Sequence, residues 1–201
     1  MIKNIVFDLG NVILYDKPSS ILNNILVSNE DKKIIEENFF KDFTDLDLGN
    51  ITLKDHLNNC GLNSILNEEL KEILLNYYKY RQFNNDIISL MNTLKDNGYG
   101  IYILSNNNKE TSEYLKKLPV FECIDGWIVS CDLHITKPNE EIYLKLFETY
   151  NINPNECFFI DDSKMNIEAA RKLGMNGHIF NPKENGIEEL IIEMKKSNVK
   201  C

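Results

Sequence analysis

The 201-residue sequence has little glycine and proline, 9 and 5 residues, and no paired cysteine motif. With 43% hydrophobic residues, this composition excludes a collagen-like, low-complexity or disordered chain. The cysteines show no CxxC spacing, which argues against a zinc site or a disulfide framework and favours a reducing compartment. No apolar run approaches the roughly 20 residues of a transmembrane helix, and the N-terminal apolar stretch is too short for a secretory signal. We therefore expect a cytoplasmic protein with no membrane partner.

Positive charge is also scarce. The chain has 22 Lys and Arg against 31 Asp and Glu, a net charge of −9. This balance repels a phosphate backbone, so we expect no nucleic-acid partner. The length fits one domain, or one domain with a sizeable insertion, and is sufficient for a substantial core.

Short apolar runs that are continuous rather than alternating predict buried strands. Helical patterns separate the later runs, including one after Asn85 that Gly98 would end. Strands that alternate with helices predict an α/β fold with a parallel sheet. The predicted strands are Ile5–Phe7, Ile101–Leu104, Trp127–Val129, Phe158–Ile160 and His178–Phe180.

Residues 16–83 interrupt this alternation, because they show helical patterns and no strand pattern. The interval is too long for an ordinary connection between strands. We therefore predict two units: a core of residues 1–15 and 84–201, and an inserted helical cap of residues 16–83.

Polar side chains follow the predicted strands where each strand ends. Asp8 follows the first strand, Ser105 and Asn106 the second, and Asp161–Asp162 the fourth, while Lys137 lies in the loop after the third. Each alone is explained by a turn, a helix cap or a surface charge. Ligands of open parallel sheets bind at the carboxyl ends of the strands, so the set together predicts a ligand site.

The chemistry of this edge of the sheet points to a metal and a phosphoryl group. Clustered carboxylates repel one another and need a cation, and Mg²⁺ takes one or two carboxylates together with substrate phosphate. Lys137 and Ser105 would neutralise the phosphoryl group. A carboxylate that faces phosphorus can attack it and form an aspartyl phosphate.

The same residues resemble a known family. In this order and spacing, Phe7–Val12, Leu104–Asn106, Lys137–Pro138 and Phe159–Ser163 are similar to the four motifs of the haloacid dehalogenase-like hydrolases. The first motif resembles that of bacterial phosphatases acting on glucose 1-phosphate. The resemblance covers essentially the whole chain and implies a Rossmann-like parallel sheet with an inserted helical-bundle cap.

The resemblance also implies a metal site and a nucleophile. Asp8 would be the nucleophile and a Mg²⁺ ligand. Gly10 would contribute its carbonyl to the metal, and Asp161 and Asp162 would complete the site.

The resemblance further implies a catalytic and phosphate-binding set. Ser105, Asn106 and Lys137 would hold the phosphoryl group, with Lys137 also catalytic and tied to an acidic residue of the fourth motif. We therefore expect a Mg²⁺-dependent phosphatase of a small phosphorylated metabolite, a sugar phosphate being one candidate. Whether it is a monomer or a homodimer is left open.

One position departs from the family pattern. Most phosphatases of the family have a second aspartate two residues after the nucleophile, as general acid and base, where this chain has Gly10. Such a group is worth about 10²- to 10⁴-fold in rate, or roughly 3–5 kcal/mol of barrier. His134, Asp16 or water would have to supply the proton.

This departure keeps two other functions open. A non-hydrolytic phosphoester-binding relative is favoured by Gly10 and opposed by the intact acidic set. A 2-haloacid dehalogenase also lacks the second aspartate, but it needs no metal and has little use for Asp161 beside Asp162.

Two parts of the predicted cap are singled out. The stretch Asp45–Thr52 is a candidate for influencing substrate choice, although the spacing of its residues does not show whether it points toward the site. Tyr77, Tyr78, Tyr80 and Arg81 are interpreted mainly as packing and hinge residues.

Overall fold

A five-stranded parallel sheet lies at the centre of the computed structural model, which describes residues 1–15, 18–23, 26–182 and 186–201. Its strands are β1 (Asn4–Phe7), β4 (Gly100–Ser105), β5 (Gly126–Val129), β6 (Cys157–Asp161) and β7 (Asn176–Ile179). Every predicted strand is present, with its bounds shifted by at most two residues. The strand order is β5-β4-β1-β6-β7, so β1 lies in the middle between β4 and β6.

Helices cover both faces of this sheet, which is why its strands are continuous apolar runs. On β1, Ile5 and Phe7 belong to one buried cluster and Val6 to another, because successive side chains point to opposite faces. None of the described helices combines the length and apolarity needed to cross a membrane. The helices are α6 (Asn85–Asp96), α7 (Lys109–Leu115), α8 (Ser130–Leu133), α9 (Glu140–Tyr150), α10 (Lys164–Lys172) and α11 (Gly186–Lys196).

A helical segment, defined as residues 18–80, separates β1 from β4 and has its own buried cluster, which includes Ile35, Phe39 and Leu74. This cluster accounts for the helical patterns found in the sequence. A 3₁₀ turn at Tyr77–Tyr80 ends the segment. Its helices are α1 (Pro18–Leu22), α2 (Asn29–Asn38), α3 (Thr44–Asp47), α4 (Leu53–Asn59) and α5 (Glu68–Leu75).

The segment is joined to the core by a short antiparallel ribbon that the sequence prediction missed. Strand β2 (Leu14–Tyr15) pairs with β3 (Gln82–Phe83). The expectation that residues 16–83 contain no strand is therefore wrong at Gln82–Phe83. Two residues are too few to show the alternation that identifies a strand.

Candidate active site

Lys137 is the centre of a buried charge cluster at the carboxyl edge of the sheet. Its Nζ lies 2.8 Å from Oδ1 of Asp8 and 2.7 Å from Oδ2 of Asp161, and it donates to the carbonyl of Leu104 at 2.9 Å. The side chain is only 1% exposed. The alternative interpretation of Lys137 as a surface charge is therefore wrong.

Asn106 fixes the backbone of Lys137. Its Oδ1 accepts from the amide of Lys137 at 2.8 Å, and its Nδ2 donates to the carbonyl of Lys137 at 3.0 Å. This reciprocal pair links the end of β4 to the loop after α8. The bond from Lys137 to Pro138 is cis.

Asp8 follows β1 directly, and its amide donates to the carbonyl of Ile160 at 2.9 Å. Burial raises the pKa of Asp8 from 3.8 to about 7, with Lys137 opposing the shift and the charge of Asp161 adding to it. Burial alone would lower the pKa of Lys137, but the two carboxylates outweigh it and raise that pKa. The carboxylates therefore favour the charged form of the lysine. The lysine in turn offsets only part of the cost of burying the Asp8 carboxylate.

Asp161 is fully buried, and each of its oxygens accepts more than one hydrogen bond. Oδ1 accepts from the amide of Ser163 at 2.8 Å and from Nδ2 of Asn166 at 3.0 Å. Oδ2 accepts from Lys137 at 2.7 Å and from Nδ2 of Asn166 at 3.0 Å. These contacts make Asp161 an anchor for Lys137.

Asp162 turns the other way, toward the cavity. Its Oδ2 accepts from Nδ2 of Asn11 at 2.9 Å. One oxygen each from Asp8, Asp161 and Asp162 lie within 4.8 Å of one another. Three neighbouring carboxylates and one ammonium leave a net negative charge when the carboxylates are ionised, and hard oxygens of this kind fit Mg²⁺.

A cavity of about 420 Å³ opens above this cluster, a size typical of small-molecule sites. The helical segment and the sheet edge both contribute to its lining. The predicted site residues other than Asp161 all contribute to the lining: Asp8, Gly10, Ser105, Asn106, Lys137 and Asp162.

A model of the haloacid dehalogenase-like hydrolases matches residues 2–174 of the chain. The chain belongs to this family. Both the predicted family and the predicted α/β fold are confirmed.

Relatives of this hydrolase include phosphatases and dehalogenases. D-ribitol-5-phosphate phosphatase from Bacteroides thetaiotaomicron is 26% identical over 204 residues, which is 94% of this chain and 95% of the relative. (S)-2-haloacid dehalogenase 4A from Burkholderia cepacia is 32% identical over 108 residues, 53% of this chain and 47% of the relative. The chain spans only 24% to 47% of the length of the first curated relatives that it matches.

A solved structure supports the fold over most of the hydrolase. It is a HAD family enzyme from Bacteroides thetaiotaomicron in complex with magnesium and inorganic phosphate. Its TM-score to this chain is 0.73 at 26% identity, and the match covers 92% of this chain and 96% of that one.

The predicted proton donors of the hydrolase do not line the cavity as far as the structure describes them. His134 is exposed and is absent from the described lining residues, and its Nδ1 lies 2.7 Å from the carbonyl of Leu48. Asp16 lies outside the described residues. Asp16 and water therefore both stay candidates for the proton donor that Gly10 lacks.

The stretch Asp45–Thr52 of the hydrolase contacts both the cavity and the core. Asp47 lines the cavity, whereas Gly49 packs against the carbonyl of Cys131 in α8. The sequence left the direction of this stretch open, and Asp47 is its one residue among the described lining of the cavity.

The sequence prediction missed most of the cavity's apolar side. Phe40 and Phe43 line it, and so does Tyr77, which was interpreted as packing. Arg81 also lines the cavity, whereas Tyr80 is 41% exposed and outside it. The dense run of aromatics after α2 was the available signal, but it does not show which rings face inward.

Proposed function

We propose that this hydrolase is a Mg²⁺-dependent phosphatase of a small phosphorylated metabolite that forms an aspartyl phosphate on Asp8. The observation that carries the proposal is the position of Asp162, which reaches the cavity beside Asp8 and Lys137. A second cavity carboxylate suits a metal and a phosphoryl group. The similarity to D-ribitol-5-phosphate phosphatase supports the same reaction class.

Asp8, Asp162 and the carbonyl of Gly10 would hold the metal ion, with Asp161 as a neighbouring anchor. The ion would supply charge neutralisation for the phosphoryl group. Ser105, which lines the cavity, would help to hold that group.

The side chains of this protein account for the bond changes. A carboxylate oxygen of Asp8 forms a bond to phosphorus while the bond from phosphorus to the alcohol oxygen breaks. Lys137 and Asn106 hold the phosphoryl oxygens during transfer. Gly10 has no side chain to protonate the alcohol, so the alcohol takes its proton from water. A second water then attacks phosphorus, releases phosphate and regenerates Asp8.

We assign the role of a cap, predicted for residues 16–83, to the helical segment. Its residues line the same cavity as Asp8. A covalent phosphoenzyme needs water to be excluded while it forms and admitted while it is hydrolysed, which a hinged cap allows. The ribbon of β2 and β3 lies at the junction where such a hinge would act.

Phosphate release from acetyl phosphate and from a panel of metabolites tests the proposal. We expect release in Mg²⁺, loss of release in EDTA, and loss of release in Asp8→Asn. Asp132→Asn serves as a control, because Asp132 is an exposed carboxylate that does not line the described cavity. Equal rates for wild type and Asp8→Asn would rule out the covalent step.

The second candidate function is 2-haloacid dehalogenation, which the 32% identity to the Burkholderia cepacia enzyme favours. In that reaction Asp8 would attack carbon and displace halide. Chloride release from 2-chloropropionate that persists in EDTA would support this function over the phosphatase. A non-hydrolytic relative would instead bind phosphate esters and release no product under either condition.

A further inference from the structure

We propose that the preferred substrate is a phosphate monoester whose alcohol carries an aromatic ring, rather than a polyol or sugar phosphate. This inference rests on the proposed phosphatase function and assigns its substrate class. It is carried by an aromatic wall, defined as the rings of Phe40, Phe43 and Tyr77, on the side of the cavity that the helical segment forms.

The three rings of the aromatic wall form one continuous surface. The ring centroids of Phe40 and Phe43 are 6.1 Å apart, and the ring of Tyr77 lies 5.8 Å from Phe40 and 5.6 Å from Phe43. Phe40 and Phe43 are only partly buried, so each keeps area available for a ligand. Aromatic groups prefer tilted or edge-to-face contacts at such separations.

Packing behind the wall holds its rings in place. The ring of Phe39 is fully buried and lies 4.9 Å from Phe40, 5.8 Å from Phe43 and 5.9 Å from Tyr77. His56 supports the same cluster, with its ring 5.2 Å from Phe43 and its Nε2 2.8 Å from the carbonyl of Phe39. A wall arranged before binding loses little side-chain entropy when a ligand arrives.

The hydroxyl of Tyr77 is directed to the core. It accepts from Nδ2 of Asn108 at 2.9 Å and lies 3.4 Å from Oγ1 of Thr111. We therefore assign the ring of Tyr77, and not its hydroxyl, to the wall.

The apolar wall disfavours a polyol. Pro18 and Ile21 extend it with further apolar atoms. The helical segment and its junction add two charged side chains, Asp47 and Arg81, to the described lining. Several hydroxyl groups placed against such a wall would lose their hydrogen bonds to water without full replacement.

Phosphonates, which resist hydrolysis, test the substrate class by calorimetric binding in Mg²⁺. Benzylphosphonate should bind about tenfold more tightly than methylphosphonate, because its ring adds contacts to the wall. It should also bind more tightly than 2,3-dihydroxypropylphosphonate, the polyol probe. Binding of benzylphosphonate no tighter than either reference overturns the proposal.

Substitutions in the aromatic wall test whether its rings cause the preference for benzylphosphonate. Phe40→Ala and Phe43→Ala should each lower the affinity for benzylphosphonate several-fold, and lower the affinity for methylphosphonate less. Tyr80→Ala, which alters an exposed ring outside the described cavity lining, should leave both affinities unchanged. Circular dichroism checks folding, and the wild-type affinity ratios decide the proposal even if a variant does not fold. Equal losses for both ligands would contradict the assignment.

Acetyl phosphate separates this inference from the proposed function, because it carries no ring. If the wild type hydrolyses acetyl phosphate in Mg²⁺ but shows no preference for benzylphosphonate, only the substrate class fails. If acetyl phosphate is not hydrolysed, the phosphatase function fails, and the substrate class that rests on it fails as well.

Discussion

The ammonium group of Lys137 lies 2.7 Å from Oδ2 of Asp161, and the two side chains are only 1% and 0% exposed. Asn166 and the amide of Ser163 donate hydrogen bonds to Asp161 and hold it in place, and Asp161 in turn fixes the position of the lysine. The same ammonium group also contacts Oδ1 of Asp8 at 2.8 Å. The buried pair therefore places a positive charge beside the carboxylate of Asp8.

Replacing the lysine should cost stability. Lys137→Met keeps the length of the side chain but leaves Asp161 buried without its cation, and we expect a loss of about 3–5 kcal/mol in the free energy of unfolding. Urea denaturation at pH 7 measures it. Lys116→Met is the control, since its partner Asp132 is 3.7 Å away and exposed, and should lose less than about 1 kcal/mol. Similar losses for both variants would contradict the stabilising role assigned to the buried pair of Lys137 and Asp161.

The raised pKa of Asp8 predicts a pH dependence of stability in the metal-free protein. The folded pKa of about 7 exceeds the ordinary 3.8, so the native state binds the proton more tightly. This contribution is fully present below pH 3.8 and is lost as the pH rises to about 7. Asp8→Asn cannot ionise, so in EDTA at pH 8 it should melt at a higher temperature than wild type. Melting temperatures that fall equally for both proteins between pH 5 and pH 8 would refute this prediction.

Gly49 should be required for docking the helical segment on the core. It has a φ of +69°, and a Cβ there would lie 2.5 Å from the carbonyl oxygen of Cys131. Gly61 has a φ of +77° with no atom within 4 Å, so Gly61→Ala carries the same backbone strain without the collision. We expect Gly49→Ala to lose about 1–3 kcal/mol more than Gly61→Ala in urea denaturation. Equal losses would show that the backbone at Cys131 shifts to accommodate the added methyl group, and would contradict this prediction.

Gly10 should limit the hydrolysis of esters with poor leaving groups. Gly10→Asp adds a carboxyl group at the cavity, where it can protonate the departing alcohol. We expect kcat for an alkyl phosphate to rise by about tenfold or more, and kcat for acetyl phosphate, a good leaving group, to change little. Steady-state phosphate release measures both. A uniform change for both substrates would argue against a missing acid.

The sequence was sufficient to predict the sheet and the polar side chains that meet at its edge. Asp8, Ser105 and Asp162 each follow a continuous apolar run, and parallel strands bring such positions together at one edge. The burial of Lys137 was not predictable in this way, because a residue type in a loop carries no information about its surroundings.

The side chains that the helical segment contributes to the cavity could not be predicted either. Phe39 and Phe40 are neighbours in the chain, yet the first is buried in the helical segment and the second lines the cavity. That difference depends on how several short helices pack. Leu14–Tyr15 and Gln82–Phe83 pair across the whole insertion, and strands of two residues have no pattern to detect.

Mass spectrometry of the acid-quenched enzyme during turnover tests the role of Asp8 most directly. In Mg²⁺ with acetyl phosphate, we predict a single phosphoryl group on the peptide that contains Asp8, and none in Asp8→Asn. Phosphate release at the wild-type rate from Asp8→Asn, with no phosphorylated peptide from either protein, would contradict the account.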